Sequence, residues 1–218
     1  MILSREYNFL FIKTVKTAGT SIEVELARVV EPQAVVTPVY PREEGHFPRN
    51  YSVCEYGCCG EDFTSHISAA KVKGIVGRRA FRSMFKFCVE REPVDKCVSA
   101  WSMWRNSPNH VSGLGKLSWP EYVETGKFPM CAGRWRTPSQ GVIVDKILRF
   151  ENLETELKTV AGHIGLDNWC GLKARAKAGF REVPAISAQQ REKIYNSFAP
   201  SNQHTGYKIE DSYALFPE

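Results

Sequence analysis

The join between an apolar run and an amphipathic helix pattern, within residues 7–30, constrains the fold of this chain most strongly. Residues 7–15 (YNFLFIKTV) are mostly apolar, β-branched or aromatic, which is typical of a buried strand in a parallel sheet. A short turn, KTAGTS at residues 16–21, follows the run. Apolar residues then recur at helical spacing, at Ile22, Leu26, Val29 and Val30. The pattern predicts a strand, a tight turn and a helix.

The turn of this unit carries residue types that bind anions. Backbone N–H groups at the start of a helix have no partner within the helix, and the helix dipole favours negative charge there. Lys16 adds a positive charge, and Gly19 permits a close backbone approach or a positive φ. Hydroxyl donors are supplied by Thr17, Thr20 and Ser21. The sequence therefore predicts a phosphate-binding loop.

Two other interpretations of the loop make different demands on the residues. Thr20 and Glu23 match the S/T-x-x-E capping box, so a plain helix cap with Lys16 in solvent is the simpler alternative. A Walker A loop needs G-x-x-x-x-G-K-[ST], whereas Val15 precedes the lysine here and the glycine follows it. This order disfavours the loop of a kinase or NTPase.

Further strand and helix patterns alternate along the chain. Residues 85–90 (FKFCVE) and 142–150 (VIVDKILRF) predict two more buried strands, and a short strand is expected at 34–37. Helices are expected at 68–76, from Pro93 onward, and at 117–125, 152–164 and 187–198. The alternation predicts an α/β fold of three layers, a mostly parallel sheet flanked by helices. With 218 residues, the chain is expected to form one domain, residues 1–218.

A second segment with anion-binding residues follows the second predicted strand. Residues 88–101 read CVEREPVDKCVSAW, with Arg91 at the strand end and Pro93 at the first position of a helix. An arginine at a strand end can hold a phosphate with two hydrogen bonds, and the hydroxyl of Ser99 can take the same group. The alternative is an ordinary helix start, in which Arg91 pairs with a nearby carboxylate from Glu90, Glu92 or Asp95.

Together these segments resemble the PAPS-dependent sulfotransferases of the carbohydrate type. FLFIKTVKTAGTSIE is similar to their 5′-phosphosulfate loop, commonly H-x-P-K-T-A-G-T-S, and FKFCVEREPVDKCVSAW is similar to their 3′-phosphate segment, commonly R-N-P-x-x-R-x-x-S. ILRFENLETEL resembles a later strand and helix of the same family. The resemblance implies a P-loop-like sulfotransferase fold. It also implies 3′-phosphoadenosine 5′-phosphosulfate (PAPS) as sulfuryl donor and PAP as product.

The resemblance further implies a role for each matching residue. Lys16 is expected at the bridging or leaving oxygen of the donor, and the 3′-phosphate is assigned to Arg91 and Ser99. The 5′-phosphosulfate is assigned to the loop residues Thr17, Ala18, Gly19, Thr20 and Ser21. The chain departs from the family pattern at four positions: Lys13 replaces His, Val15 replaces Pro, Glu92 replaces Asn and Lys96 replaces Arg.

The catalytic base must be sought outside the loop, because Lys13 stands where the family has a histidine. His66, in FTSHISAAKVK, is the first candidate, since an imidazole titrates near neutral pH. Related sulfotransferases resemble this layout, with a histidine between the two PAPS segments. Glu23 is the second candidate and His46 the third. The alternative for His66 is a polar residue at a helix start.

Composition limits the partners and the location of the chain. Lys and Arg number 29 against 24 Asp and Glu, and the net charge of +5 suits a nucleotide or an acidic glycan. We expect no nucleic acid partner and no membrane span, because the chain has no basic run and no apolar stretch near ~20 residues. No secretory signal is visible, so a cytoplasmic location and reduced thiols are expected.

The expected function is sulfuryl transfer from PAPS to an acceptor hydroxyl on a saccharide or small molecule, in line and with a histidine base. No metal is expected, and the cluster of Cys54, Cys58 and Cys59 lacks the second ligand pair of a zinc site. Two alternatives stay open: a P-loop nucleotide kinase or NTPase, and a non-catalytic PAP-binding protein. The oligomeric state also stays open.

Overall fold

The computed structural model describes residues 1–52, 63–110, 112–174, 176 and 179–217. These residues belong to two compact units, Met1–Glu90 with Ala132–Ala176 and Arg91–Cys131 with Lys177–Glu218. The three clustered cysteines, Cys54, Cys58 and Cys59, lie outside the described residues.

The described residues form short strands and helices in the following order. The strands are β1 (Ile2–Ser4), β2 (Phe9–Ile12), β3 (Val35–Val36), β4 (Phe85–Glu90), β5 (Arg136–Thr137), β6 (Gly141–Val142) and β7 (Lys146–Arg149). The helices are α1 (Gly19–Val29), α2 (Ala69–Val76), α3 (Arg78–Ser83), α4 (Pro93–Asn106), α5 (Trp119–Thr125), α6 (Ala132–Trp135), α7 (Leu153–His163), α8 (Ala188–Thr205) and α9 (Ile209–Leu215).

The main sheet lies in the first unit and has the strand order β3-β1-β2-β4-β7. β2 pairs with β4, and β4 with β7, in parallel, whereas β1 pairs with β2 and with β3 in antiparallel fashion. The expectation of a mostly parallel sheet was therefore wrong, and the sheet is mixed. The reason is β1, which joins β2 through the four-residue turn 5–8, too short for the crossover that a parallel pair needs.

Helices cover both faces of this sheet, as expected for an α/β fold. Phe9 and Phe11 of β2 pack in one buried cluster with residues of α1 and α7, whereas Leu10 and Ile12 pack in a second cluster with residues of α2 and α3. β2 is buried on both sides, which explains its continuous apolar sequence. Each such side chain contributes roughly 1.5–3 kcal/mol relative to an exposed one.

Most predicted elements are present with shifted ends. The helices expected at 68–76 and 152–164 correspond to α2 and α7, while α8 runs to Thr205, beyond the expected end at 198. The strand expected at 142–150 is divided into β6 and β7. Asp145 lies at the break, where its Oδ2 accepts a hydrogen bond from the Lys86 backbone N–H at 2.7 Å.

The second unit is helical and has its own aromatic core. Helices α4, α5, α8 and α9 supply it, and Trp101, Trp119, Tyr122 and Phe198 are among its buried residues. α4 begins at Pro93 as predicted, after Glu92, whose carboxylate accepts from the N–H groups of Val94 and Asp95. Even α8, with 18 residues, is not apolar enough to cross a bilayer, and no other helix within the described ranges is.

Candidate functional site

The turn between β2 and α1 has a backbone suited to an anion. Lys16 and Ala18 have φ angles of 63° and 57°, in the left-handed region that few residues other than glycine adopt. α1 begins after Ala18, and no side chain among the described residues caps it. Ala18 in the left-handed region, followed by the helical Gly19, directs successive N–H groups toward one point, as in known anion sites. Lys16 adds its positive charge to this turn.

The alternative interpretation, a capping box of Thr20 and Glu23, does not describe the start of α1, where Ala18 is the N-cap residue. Thr20 is the second residue of α1, inside the helix. Glu23 is fully buried and pairs with the Lys13 ammonium and the Met1 ammonium, while its Oε1 accepts from Thr37 Oγ1 at 2.7 Å. A buried carboxylate is costly without counter-ions, and these cations therefore determine where Glu23 points.

Gly19 is required by a close approach and not by its φ angle. It is the first residue of α1, and a Cβ placed on it would lie 2.6 Å from Cγ of Lys13. The Lys13 side chain crosses this position to reach Glu23. The absence of a side chain at Gly19 therefore allows the buried Lys13 to pack against the turn between β2 and α1.

The hydroxyl groups of the loop differ in what they contact. Thr17 is buried, and its Oγ1 lies 2.8 Å from Oγ1 of Thr14, which in turn donates to the carbonyl of Val89 in β4. Thr17 therefore fastens the turn to the sheet. Ser21 Oγ accepts from the N–H of Ala176 at 3.1 Å, which leaves its own proton available for donation.

His66 lies against the same turn, through the backbone of Lys13. Its Nδ1 is 3.2 Å from the Lys13 carbonyl oxygen, and because a carbonyl only accepts, Nδ1 carries the proton and Nε2 has the lone pair. Burial, with the positive charges of Lys13 and Arg134, lowers the pKa of His66 to about 4. The imidazole is therefore neutral at physiological pH with its lone pair at Nε2, and a pKa this far below neutrality makes it a weak proton acceptor.

The two reserve candidates for the base are poorly placed. Burial works to raise the pKa of Glu23, but the Met1 ammonium and Lys13 outweigh it and lower the pKa, so this carboxylate is a fixed counter-ion. His46 is 3% exposed and its Nε2 contacts the carbonyl of Thr37 at 2.9 Å. Neither group can readily accept a proton from a bound molecule.

Two neighbours of His66 were not identified as site residues from the sequence. Ser65 Oγ accepts from Lys13 Nζ at 3.1 Å, and Arg134 Nη1 donates to the His66 carbonyl. Arg134 lies in the polar segment GRWRTPSQ, residues 133–140, and no spacing rule connects it to position 66. Arg134 thus holds the backbone of His66, and Ser65 ties the preceding residue to the Lys13 side chain.

Arg91 and Ser99 lie in the second unit, at and within the start of α4. Arg91 Nε donates to Asp95 Oδ2 at 2.7 Å, which is the carboxylate pairing considered as the alternative. Asp95 Oδ1 also accepts from Arg181 Nη2 at 2.5 Å. Two guanidinium groups thus share one carboxylate. Ser99 is half-buried and four residues beyond Asp95, on the same helical face.

Glu92, where the sulfotransferase pattern has asparagine, caps the start of α4 with its side chain. Its Oε1 accepts from the Val94 N–H at 3.0 Å and from Tyr195 Oη at 2.7 Å, and its Oε2 accepts from the Asp95 N–H. Burial raises the pKa of Glu92 to about 6. Glu92 therefore caps the helix with a carboxylate whose pKa is raised toward neutrality.

The carboxylates near the sheet edges bear on a magnesium-dependent alternative. Asp145 directly precedes β7, at the amino end of the parallel strands, and pairs with Lys86 Nζ at 2.8 Å. Glu90 ends β4, next to β2, but it is buried and accepts from Trp135 Nε1 at 2.7 Å. Within the described ranges, no three His, Cys, Asp or Glu side chains are grouped as metal ligands.

The structure thus brings together, in the first unit, the loop from Lys16 to Ser21, Lys13 and the candidate base His66. Four cysteines, Cys88, Cys97, Cys131 and Cys170, are free thiols.

No family model, curated protein or solved structure matches the chain.

Proposed function

We propose that this chain is a sulfotransferase that moves a sulfuryl group from PAPS to an acceptor hydroxyl on a saccharide or small molecule. One observation carries the proposal: α1 begins uncapped, directly after a parallel strand, at a turn in which Lys16 and Ala18 have positive φ. Ligands of open α/β sheets bind beyond the carboxyl ends of the strands, and uncapped helix starts favour phosphate-like groups.

The loop would hold the phosphosulfate end of the donor. Negative charge develops on the leaving phosphate oxygen during sulfuryl transfer, and the loop N–H groups with Lys16 are suited to stabilise it. Ser21 supplies a hydroxyl proton, since its oxygen already accepts from Ala176. Thr17 supports the turn from beneath through Thr14.

His66 would act as the general base. Its neutral imidazole accepts the proton of the acceptor hydroxyl at Nε2, while Nδ1 remains bonded to the Lys13 carbonyl. The bond from the acceptor oxygen to sulfur forms as the bond from sulfur to the phosphate oxygen breaks. PAP leaves with the negative charge, and the proton stays on His66 until solvent removes it.

The 3′-phosphate remains assigned to Arg91 and Ser99. Arg181 joins this assignment, because it shares Asp95 with Arg91 and adds a second guanidinium to the group. Arginine pairs suit phosphate, since the planar guanidinium matches two oxygens at once. Asp95 then fixes the orientation of both arginines.

A kinase or NTPase is a weaker candidate. It needs a carboxylate for Mg²⁺ near the loop. Asp145, however, lies at the opposite, amino ends of the parallel strands, and Glu90 is buried against Trp135. A non-catalytic PAP-binding protein differs from the proposal only in turnover, so the decisive experiment must measure transfer.

The test is transfer of label from [³⁵S]PAPS to a panel of saccharides and phenolic or aliphatic alcohols. We expect labelled product without added Mg²⁺ for the wild type and its loss in His66→Asn. The control is His163→Asn, because His163 is exposed on α7. Absence of transfer to every acceptor, together with PAP binding, would instead support a non-catalytic binding protein.

A further inference from the structure

A second positively charged region lies at the amino ends of the parallel strands in the first unit. α3 ends at Ser83, two residues before β4 begins, and Asp145 directly precedes β7. The loop after β2 lies at the opposite, carboxyl-terminal edge. The six residues of β4 span about 20 Å at the usual rise of a strand, which separates the two regions.

This region contains two adjoining cavities. The first has a volume of about 360 Å³ and is lined by Lys73, Arg78, Phe81, Arg82, Lys86, Gln140, Ile143 and Asp145. The second has a volume of about 440 Å³ and is lined by Arg78, Arg79, Arg82 and Ser83. Because Arg78 and Arg82 line both, the cavities form one groove, and each has the size of a small-ligand site.

Within the described part of the chain, the arginines of this groove have no counter-ions. Arg78 and Arg82 are four residues apart on α3 and therefore lie on one face, with Arg79 beside them. All three are exposed, and none has an ion-pair or hydrogen-bond partner for its side chain among the described residues. Like charges at this spacing repel one another, so an anion between them would stabilise the arrangement.

The floor of the groove is already neutral. Lys86 is 6% exposed, its Nζ donates to the Met84 carbonyl at 2.5 Å, and it pairs with Asp145 Oδ2 at 2.8 Å. Lys73 Nζ donates to Gln140 Oε1 at 2.9 Å and so lies at the rim. Among the described residues that line the groove, Asp145 is the only carboxylate and is balanced by Lys86, so the charges of Lys73 and the three arginines are in excess.

We infer that this groove binds a multiply charged oxyanion, carrying phosphate or sulfate groups. Guanidinium groups hold two oxygens of such an anion at once, and two of them one helical turn apart can grip adjacent groups of one ligand. The site is distinct from the loop after β2 and does not depend on the proposed transferase activity.

The test measures binding of two probes, inorganic triphosphate and sucrose octasulfate, by isothermal titration calorimetry at fixed ionic strength. The variant Arg78→Glu/Arg82→Glu reverses two charges in the groove. Arg42→Glu/Lys158→Glu is the matched control, because both of its side chains are exposed elsewhere and the net charge changes equally. Lys16→Ala removes the cation of the loop.

We expect saturable binding of at least one probe, weakened about tenfold or more for each groove arginine reversed. The control variant and Lys16→Ala should keep that binding. Preference for triphosphate would identify a phosphate ligand, and preference for the octasulfate a sulfated one. Equal weakening in the groove and control variants, loss in Lys16→Ala alone, or no saturable binding of either probe would overturn the inference.

Discussion

Nδ1 of His66 lies 3.2 Å from the carbonyl oxygen of Lys13, and this contact connects the candidate base to the turn between β2 and α1. The same lysine extends its side chain beneath Gly19 to Glu23. Backbone and side chain of Lys13 therefore connect the base, the turn and a buried ion pair. Lys13, where the sulfotransferase pattern has histidine, thus makes structural contacts that the resemblance alone does not predict.

Replacing His66 by asparagine separates catalysis from binding. We expect PAP affinity to change less than threefold, because the loop is left intact, while kcat falls by about 10²–10⁴-fold through loss of the general base. Single-turnover transfer from labelled PAPS measures kcat, and calorimetry measures affinity. Undiminished transfer would remove His66 from the mechanism.

The pH dependence of His66 should be displaced to acid. Because burial and the charge of Lys13 lower its pKa to about 4, kcat/KM should stay level on acidification through pH 6.5 and fall only near pH 4. The unfolded imidazole titrates near 6.5, so between about pH 4 and 6.5 the unfolded state binds more protons, and the stability of the fold decreases as the pH drops through that range.

Lys13→Gln should raise the pKa of His66, because it removes a nearby positive charge. An NMR titration of the ring measures it, and an apparent pKa near 6.5 in the wild type would contradict this environment.

Gly19→Ala tests the close approach of Lys13. The added Cβ would meet Lys13 Cγ at 2.6 Å and displace a buried side chain, so we expect a loss of about 1–3 kcal/mol in the free energy of unfolding. PAP affinity should fall with it. The control is Gly162→Ala, which meets no atom within 4 Å on α7 and should stabilise by about 0.5–1 kcal/mol. Urea unfolding measures the free energy of unfolding of both variants, and equal stabilisation of the two would contradict the close approach of Lys13 to Gly19.

Glu23→Gln tests whether Glu23 is a structural counter-ion. The change leaves the Lys13 and Met1 ammonium groups buried without a carboxylate, and breaking such a buried pair typically costs about 3–5 kcal/mol. Glu192→Gln, an exposed position on α8, should leave the unfolding free energy within about 0.5 kcal/mol. A neutral effect of Glu23→Gln in urea unfolding would show that the buried pair does not stabilise the fold.

Much of the fold could be predicted because the apolar patterns were strong. β4 was predicted at its exact bounds, and α2 and α7 within a residue, since each has clear periodicity and a recognisable start. β1 was missed, because three residues carry too short a pattern, and its antiparallel pairing made the sheet mixed. A three-residue strand such as β1 has no recognisable periodicity, so hydrophobic patterning does not predict it.

The site was predicted in its residues but not in their contacts. Local rules assigned Glu23 to a capping box, whereas its partners, Met1, Lys13 and Thr37, are brought to it by the sheet. The positive φ angles fall on Lys16 and Ala18 and not on Gly19, whose missing Cβ instead leaves room for the Lys13 side chain. Arg134 and Arg181 are distant in sequence from the residues they support, and no local spacing reveals such pairs.

The most direct test of the account is calorimetric titration of PAP into the wild type, Lys16→Ala and Arg91→Ala, with ATP–Mg²⁺ as the competing ligand. We predict saturable PAP binding that needs no Mg²⁺ and is at least about tenfold weaker in each variant. Wild-type affinity for PAP in both variants, or binding of ATP–Mg²⁺ in preference to PAP, would contradict the assignment of the turn after β2 to the phosphosulfate donor.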